Sequence, residues 1–532
     1  MIRKEWLGFA AVIAAGVVIG LVAWALSPRA AEKPLPVAAG DQEVAWLHTP
    51  TSFEAWENFV WAAKRAEMTG DGGPAGLRVD DSAAFPEKTT AIPEIAIRRD
   101  GYEGTLRVRW YKSTDAMPQE VWVRALAARA PHPVAVVGGW SSDRAKTLAD
   151  AMRDAPWEGP RPLLLLTAAT ADSVDSHDVN ATQGTPLISV YDRAFRFCFT
   201  NRQMADAVTD FVLSDPTLRP GRIAPPDDAA VAALSGPAWA AMSGHPPEPV
   251  PAFAIEWRDD PYSTDLSDRF RQALLEQSRR PGRCPRLDVL RESLPFSTGR
   301  MNRPTAAEAG AVADILANLP TPGTRTLLVV PTVSAPARRT LRALVQGNPD
   351  VGRQLVAVTG DGISMNTFYR DRDFAWPVRS IKIPFVTFTH ADPFAWDRRE
   401  SGPAPPAGYE LPPPGPGEVR STTEDLRNFN RLIRVVSTGM FPASAARIAD
   451  SPDTLAAGLR GLDPPFFEPS GDRRAGTGEH VAVIRPRFHD DPPNGRPRAE
   501  GDLEVYTRME GEAGWVRLHS IPLGGEAARR SE

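Results

Sequence analysis

The stretch "HPVAVVGGWSSDRAKTLADAM", residues 132–152, decides the fold. A short apolar run, Val134–Val137, empties into Gly138, Gly139, Trp140, Ser141 and Ser142, and a helix-period pattern follows at once. A buried strand that turns directly into a helix is half of a β-α-β unit. Repetition of that unit builds a parallel sheet with helices on both faces.

Working outward, the unit repeats. Upstream, "EVAWLH" (43–48) is strand-like and "SFEAWENFVWAAKRAEM" (52–68) is helical, with Phe53, Trp56, Phe59 and Val60 sharing a face. "IPEIAIRR" and "TLRVRWYK" flank Asp100-Gly101 as a hairpin, and the helix "PQEVWVRALAARA" leads into the strand at Val134. Downstream come "PLLLLTAAT", "PLISVY", "AFRFCF" and the helix "RQMADAVTDFVL". After a Pro/Ala/Gly-rich interruption the rhythm restarts. "AFAIEW" precedes the helix "STDLSDRFRQALLEQS", capped by Ser263 or Thr264; "LDVLRESLPF" precedes "AAEAGAVADILANL"; "RTLLVVPT" precedes "SAPARRTLRALVQG"; and "QLVAVTGD" ends a further strand. The organisation is therefore a first α/β lobe over 42–215, an insertion over 216–250, a second α/β lobe over 251–398, a proline-rich loop over 399–420 and a C-terminal region over 421–532. That last region opens on a capping box, Ser421 and Glu424, continues with the capped helix "SPDTLAAGLRGL" and closes on strands.

Bulk properties narrow the function. The 532 residues suffice for more than one core. With 61 basic against 66 acidic residues and a net charge of −5, nothing suggests a basic field for nucleic acid. Two cysteines, Cys198 and Cys284, make no disulfide framework and no cysteine-based zinc site. No Gly-x-Ser-x-Gly elbow, P-loop or His-Glu-x-x-His occurs, so no catalytic residue, cofactor or metal is expected and the chain does not read as an enzyme. The acidic loop around His177 reads as solvated, and "FYRDRDFAWP" (368–377) as a salt-bridged loop.

Residues 1–28 carry a targeting signal. Arg3 and Lys4 precede an uncharged run, Trp6–Leu26. About 20 apolar residues match a bilayer core of about 30 Å, whereas a cleaved signal has a shorter apolar stretch. The run reads as an uncleaved signal anchor, with a stalk over 29–41 and the bulk of the chain outside the cytoplasm.

In open parallel sheets, ligands bind outside the carboxyl ends of the strands, where loops and helix N-termini offer polar groups. The candidate ligand-binding residues here are Thr51 and Ser52 after "WLH"; Trp140, Ser141 and Ser142; Ala168 and Thr170 after "LLLL"; Tyr262 after "AIEW"; and Asp361 after "VAVT". The two glycines would let backbone approach a ligand, and Trp140 would cover an apolar or cationic part of it. Alternatively, Ser141 or Ser142 merely caps the helix. Hydroxyls fall in the first block, and a phenol and carboxylates in the second. A zwitterion held between lobes would need that division.

In order, "VAVVGGWSSDRAKTLADAM", "PLLLLTAAT", "AFRFCFTNRQMADAVTDFV" and "AFAIEWRDDPYSTDLSDRFRQAL" resemble the type I periplasmic solute-binding proteins of the branched-chain amino-acid group. The resemblance covers most of 42–390, and "SPDTLAAGLRGLDPPFFEPSGDRRAGTGEHVAV" resembles that family's last helix and closing strand segment. It implies two Rossmann-like lobes, the periplasmic binding protein-like I fold, that close on a small polar, amino-acid-like solute, with an ABC permease as partner. It further implies that Ser141, Ser142, Ala168 and Thr170 hold the solute's carboxylate and amine, while Tyr262 and Asp361 meet it from the second lobe. A ligand-sensing or scaffolding protein with a degenerate cleft is the alternative on the same fold. This chain departs from the family's pattern at Trp140, where a small residue is usual, and in "HTPTSFEAW", which lacks the first loop's glycine.

Overall fold

The computed structural model describes residues 33–69, 74–174, 184–223, 249–280, 286–296, 303–363, 382–390, 392, 426–443, 445–463, 465–475, 478–487, 500–508 and 514–523. The expected anchor Trp6–Leu26, the His177 loop, "FYRDRDFAWP", Cys284, the capping box at Ser421 and most of both proline-rich segments lie outside them. Among the described residues no helix is long and apolar enough to cross a membrane.

Strands β1 (Gln42–His48), β2 (Leu77–Asp80), β3 (Glu94–Arg99), β4 (Leu106–Lys112), β5 (Ala135–Gly138) and β6 (Leu163–Leu166) belong to a first sheet. A two-stranded ribbon, β7 (Ser173–Val174) with β8 (Thr185–Pro186), lies outside it, and β9 (Ala194–Arg196) closes its far edge. The order is β2-β3-β4-β1-β5-β6-β9. The span from β4 to β9 is parallel, and β2 and β3 run antiparallel at the edge, with β3 and β4 forming the hairpin expected around Gly101. "PLISVY" is not a strand: Leu187–Ser189 form a single 3-10 turn.

The second sheet contains β11 (Val250–Trp257), β12 (Leu287–Leu294), β13 (Thr324–Val329), β14 (Leu355–Thr359), β15 (Phe385–Thr389), β16 (His480–Arg487), β17 (Glu500–Arg508) and β18 (Trp515–Leu523), with β10 (Gly221–Arg222) paired to β13. Its order is β12-β11-β13-β14-β15-β16-β17-β18, parallel through β15 and antiparallel beyond. The architecture is therefore two α/β lobes on mixed, centrally parallel sheets.

Helices cover all four sheet faces. In the first lobe, α1 (Phe53–Thr69) packs Trp56, Phe59 and Val60 on one face, while α2 (Gln119–Ala127) and α3 (Ser142–Asp154) bury Trp122, Val123, Leu148 and Met152 on the other. The helix α4 (Asn201–Ser214) departs from the sequence expectation, which placed it in the first lobe. It packs against α5 (Pro261–Ser278), and its Met204, Val208 and Phe211 share a core with Ala252 and Val358 of the second sheet. The helix faces of the two lobes are alike in period, so spacing alone did not show where the chain changes lobe. The opposite face is covered by α6 (Ala306–Ala317) and α7 (Ser334–Gly347). The chain then returns: α8 (Leu426–Met440) and α9 (Pro452–Arg460) put Phe429, Leu432 and Leu455 into the first-lobe core before β16 re-enters the second sheet.

Local signals explain most helix starts. The hydroxyls of Thr200 and Thr305 close capping boxes with Gln203 and Glu308, and Ser451 accepts the Asp453 N–H beside Pro452. For α5 the cap is neither Ser263 nor Thr264. The Asp260 side chain accepts the Tyr262 N–H, and the Ser263 hydroxyl instead accepts the Trp257 N–H.

Candidate functional site

The carboxyl ends of β5 and β6 in the first lobe and of β11, β14 and β15 in the second meet along one seam. The two glycines after β5 have a packing role. A Cβ on Gly138 would stand 2.7 Å from Leu148 Cδ2, and one on Gly139, whose φ is +73°, would stand 2.7 Å from Ala145 Cβ. Both residues let α3 seat directly on the strand end, which answers why this strand ends in glycine.

The hydroxyls that follow divide. Ser141 is the N-cap residue of α3 but caps nothing: its hydroxyl donates to Asp143 Oδ1 at 2.5 Å. Ser142 is buried, and its Oγ accepts the Ala171 N–H at 3.1 Å, tying the loop after β6 to α3. Half-buried Trp140 stacks on His48, ring centroids 5.1 Å apart, with the Arg144 guanidinium 6.0 Å from its ring. The exposed Thr51 and half-buried Ser52 lie in the turn between β1 and α1, where Thr51 N–H donates to Thr49 Oγ1 at 3.2 Å. Ala168 is half-buried, and Thr170 is buried and offers its carbonyl to the Asn201 N–H at 2.7 Å.

On the second lobe, the Tyr262 hydroxyl donates to Asp361 Oδ1 at 3.0 Å and accepts the Gly362 N–H at 2.8 Å. Burial and the Asp361 carboxylate together hold that phenol well above its ordinary range. The second oxygen of Asp361 lies 2.7 Å from His390 Nε2; the two side chains are 5% and 1% exposed.

The structure joins Thr170 and Tyr262 through one residue. Asn201 sends its N–H to the Thr170 carbonyl and its Nδ2 to the Tyr262 carbonyl at 3.3 Å. Thr51 and Ser52 lie after β1, at the same end of the first sheet, and bond within their own turn, where the Ser52 N–H also donates to the Thr49 carbonyl. Charge also departs from expectation. The first lobe presents carboxylates as well as hydroxyls: burial first, and then the Asp143 charge, raise Asp260 to about 6.

Three further residues of the seam are not among those singled out from the sequence. His390 directly follows β15, and the strand-end rule that singled out Asp361 applies to "VTFTH" equally. Asn201 opens α4. Asp265 follows Tyr262 by three positions, the spacing that places two helix residues on one side. The hinge between the lobes gathers aromatic and cationic groups: Phe199, where the chain first crosses, lies 5.6 Å from the His390 ring and 3.5 Å from the Arg473 guanidinium. Cys198 is buried beside it, its thiol directed at the Ala169 carbonyl and pushed to about 12 by burial. Among the described residues no group of acidic, histidine and cysteine side chains could hold a metal.

No family model matches the chain, and no curated protein matches it. Among solved structures, it is similar to a leucine-binding protein LivK from Thermotoga maritima, at 11% identity over 90% of this chain and 98% of that one, TM-score 0.44. It is similar to an ABC-transporter solute-binding protein from R. palustris in complex with 4-hydroxybenzoate, at 10% identity over 86% and 95%, TM-score 0.46. A substrate-binding protein from Desulfitobacterium hafniense in complex with Leu is similar at 14% identity over 90% and 100%, TM-score 0.42.

Proposed function

We propose that the protein is a membrane-anchored, extracytoplasmic solute-binding protein. It takes a small polar, amino-acid-like solute between its lobes, does no chemistry on it, and passes it to an ABC-type permease. One observation carries this: the strand ends of two separate parallel sheets face a single seam, where Thr170 and Tyr262 stand one residue apart through Asn201. The solute's cationic end would lie by Trp140, between Asp143 and Asp260. Asp260 is the less exposed of the two, so water screens its charge less. The test is a thermal-shift screen of the detergent-purified full chain against amino acids and amines. A bound solute must raise the melting temperature by mass action. If no solute does so at millimolar concentration, the proposal fails.

A second proposal, a scaffold or sensor with a filled cleft, has its own support. The Ser142 hydroxyl, the Tyr262 hydroxyl and both Asp361 oxygens already have partners inside the protein. A negative solute screen on a stable, folded protein would favour it.

A further inference from the structure

The loop after β6 points consecutive backbone N–H groups toward the second lobe, and a carboxylate already sits on them. Asp265, on α5 and 5% exposed, accepts the Asp172 N–H at 2.8 Å, the Ser173 N–H at 3.1 Å and the Ser173 hydroxyl at 2.7 Å. Asn201 Nδ2 adds a bond at 2.9 Å and Arg269 Nη2 one at 3.3 Å. Three of these five donors belong to the first lobe; the acceptor belongs to the second. Flanking contacts cross the same seam, because the Asp172 carboxylate accepts the Arg202 N–H at 2.7 Å and lies 3.5 Å from Arg269 Nε. Charge-assisted bonds of this kind are shorter and about twice as strong as neutral ones.

We propose that Asp265 is an internal latch: its carboxylate fills the N–H turn at Asp172 and Ser173 and holds the two lobes together with no solute bound. Closure is then a property of the chain, and solute entry requires that the latch release. This last consequence rests on the function proposed above; the latch itself does not. The geometry suits the role. A carboxylate has about four lone-pair sites, and here it satisfies two half-buried backbone donors at a lobe boundary. Ordinary helix packing needs no acidic residue at this position. The neighbouring α5 residues Leu266 and Phe270, which face the second-lobe core, are apolar and buried.

Amide hydrogen exchange on the solute-free full chain in detergent tests this. In the unmodified protein the amides of Asp172, Ser173 and Asn201 should be protected. Asp265→Ala should speed exchange at all three by tenfold or more while leaving the β5 and β6 amides unchanged, which shows that the first lobe is still folded. Exchange at Asp172 and Ser173 unchanged in folded Asp265→Ala would overturn the latch. If that variant does not fold, Asp265→Asn, which keeps the shape and one acceptor, should give an intermediate acceleration, and no acceleration in it would equally overturn the proposal. The outcomes separate from those of the solute screen. Accelerated exchange with no solute-induced rise in melting temperature, in either protein, supports the latch and removes the transport role. A solute-induced rise with unchanged exchange does the reverse.

Discussion

His390 and Tyr262 hold opposite oxygens of one buried carboxylate, Asp361, at 2.7 and 3.0 Å. The histidine directly follows β15 next to the interlobe hinge, and the tyrosine stands in the first turn of α5 at the seam. Hydrogen bonds to a charged group contribute about 1.5–3 kcal/mol each. Asp361→Ala should therefore lower stability by about 3 kcal/mol, and Asp361→Asn by less than half of that because its Oδ1 can still accept the phenol. Urea unfolding of both variants measures this; equal losses would show that the carboxylate's two contacts do not act as described.

Ser142 and its neighbour should behave oppositely. Ser142→Ala leaves the buried Ala171 N–H without a partner, at about 1–3 kcal/mol. Ser141→Ala removes only an exposed hydroxyl that contacts Asp143 and should change stability by less than about 0.5 kcal/mol. Melting curves for the pair decide the matter. A Ser142→Ala protein as stable as the parent would return that hydroxyl to the solute.

Asp260 titrates in an unusual window. Its folded-state value, about 6, lies above the ordinary 3.8, so folding favours the protonated form. Its contribution to stability is thus complete below about pH 4 and is lost as pH rises toward 6. Asp260→Asn keeps a good helix cap and removes the charge. Relative to the parent it should melt higher at pH 7, and the gain should vanish at pH 4. A gap that does not change with pH would mean that Asp143 and burial do not act on this carboxyl.

The anchor is tested without a structure. If the apolar run Trp6–Leu26 is the proposed anchor, alkaline extraction of membranes should leave the full-size protein in the pellet. Recovery of a shortened, freely soluble form would identify the run as a removed signal.

Much of the fold was legible because strand and helix periods alternate plainly, and because only Trp140 and Ser141 separate "VAVVGG" from the helix that follows. What stayed hidden were long-range partners. Nothing in "RQMADAVTDFV" says which sheet its apolar face meets, so α4 was placed in the wrong lobe. Nothing in "GWSS" says that the second serine will turn inward to an amide 29 positions on, while the first stays at the surface. Strand-end logic singled out Tyr262 and Asp361, and the structure makes them hydrogen-bond partners of each other. It passed over Asp265, whose helical position concealed that its carboxylate serves another lobe's backbone.

The return of α8 and α9 to the first lobe, followed by β16–β18 in the second, has a consequence for biogenesis. As the chain emerges from synthesis, the early lobe lacks Phe429 and Leu455 until more than 450 residues are made, and the other sheet stops at β15. All five residues of β15 are buried in the finished molecule. Until β16 arrives, that strand is an open, apolar edge able to pair with any other chain. Neither half is thus a self-sufficient folding unit, and a nascent chain halted before residue 480 needs shielding from its neighbours until its last strands are delivered.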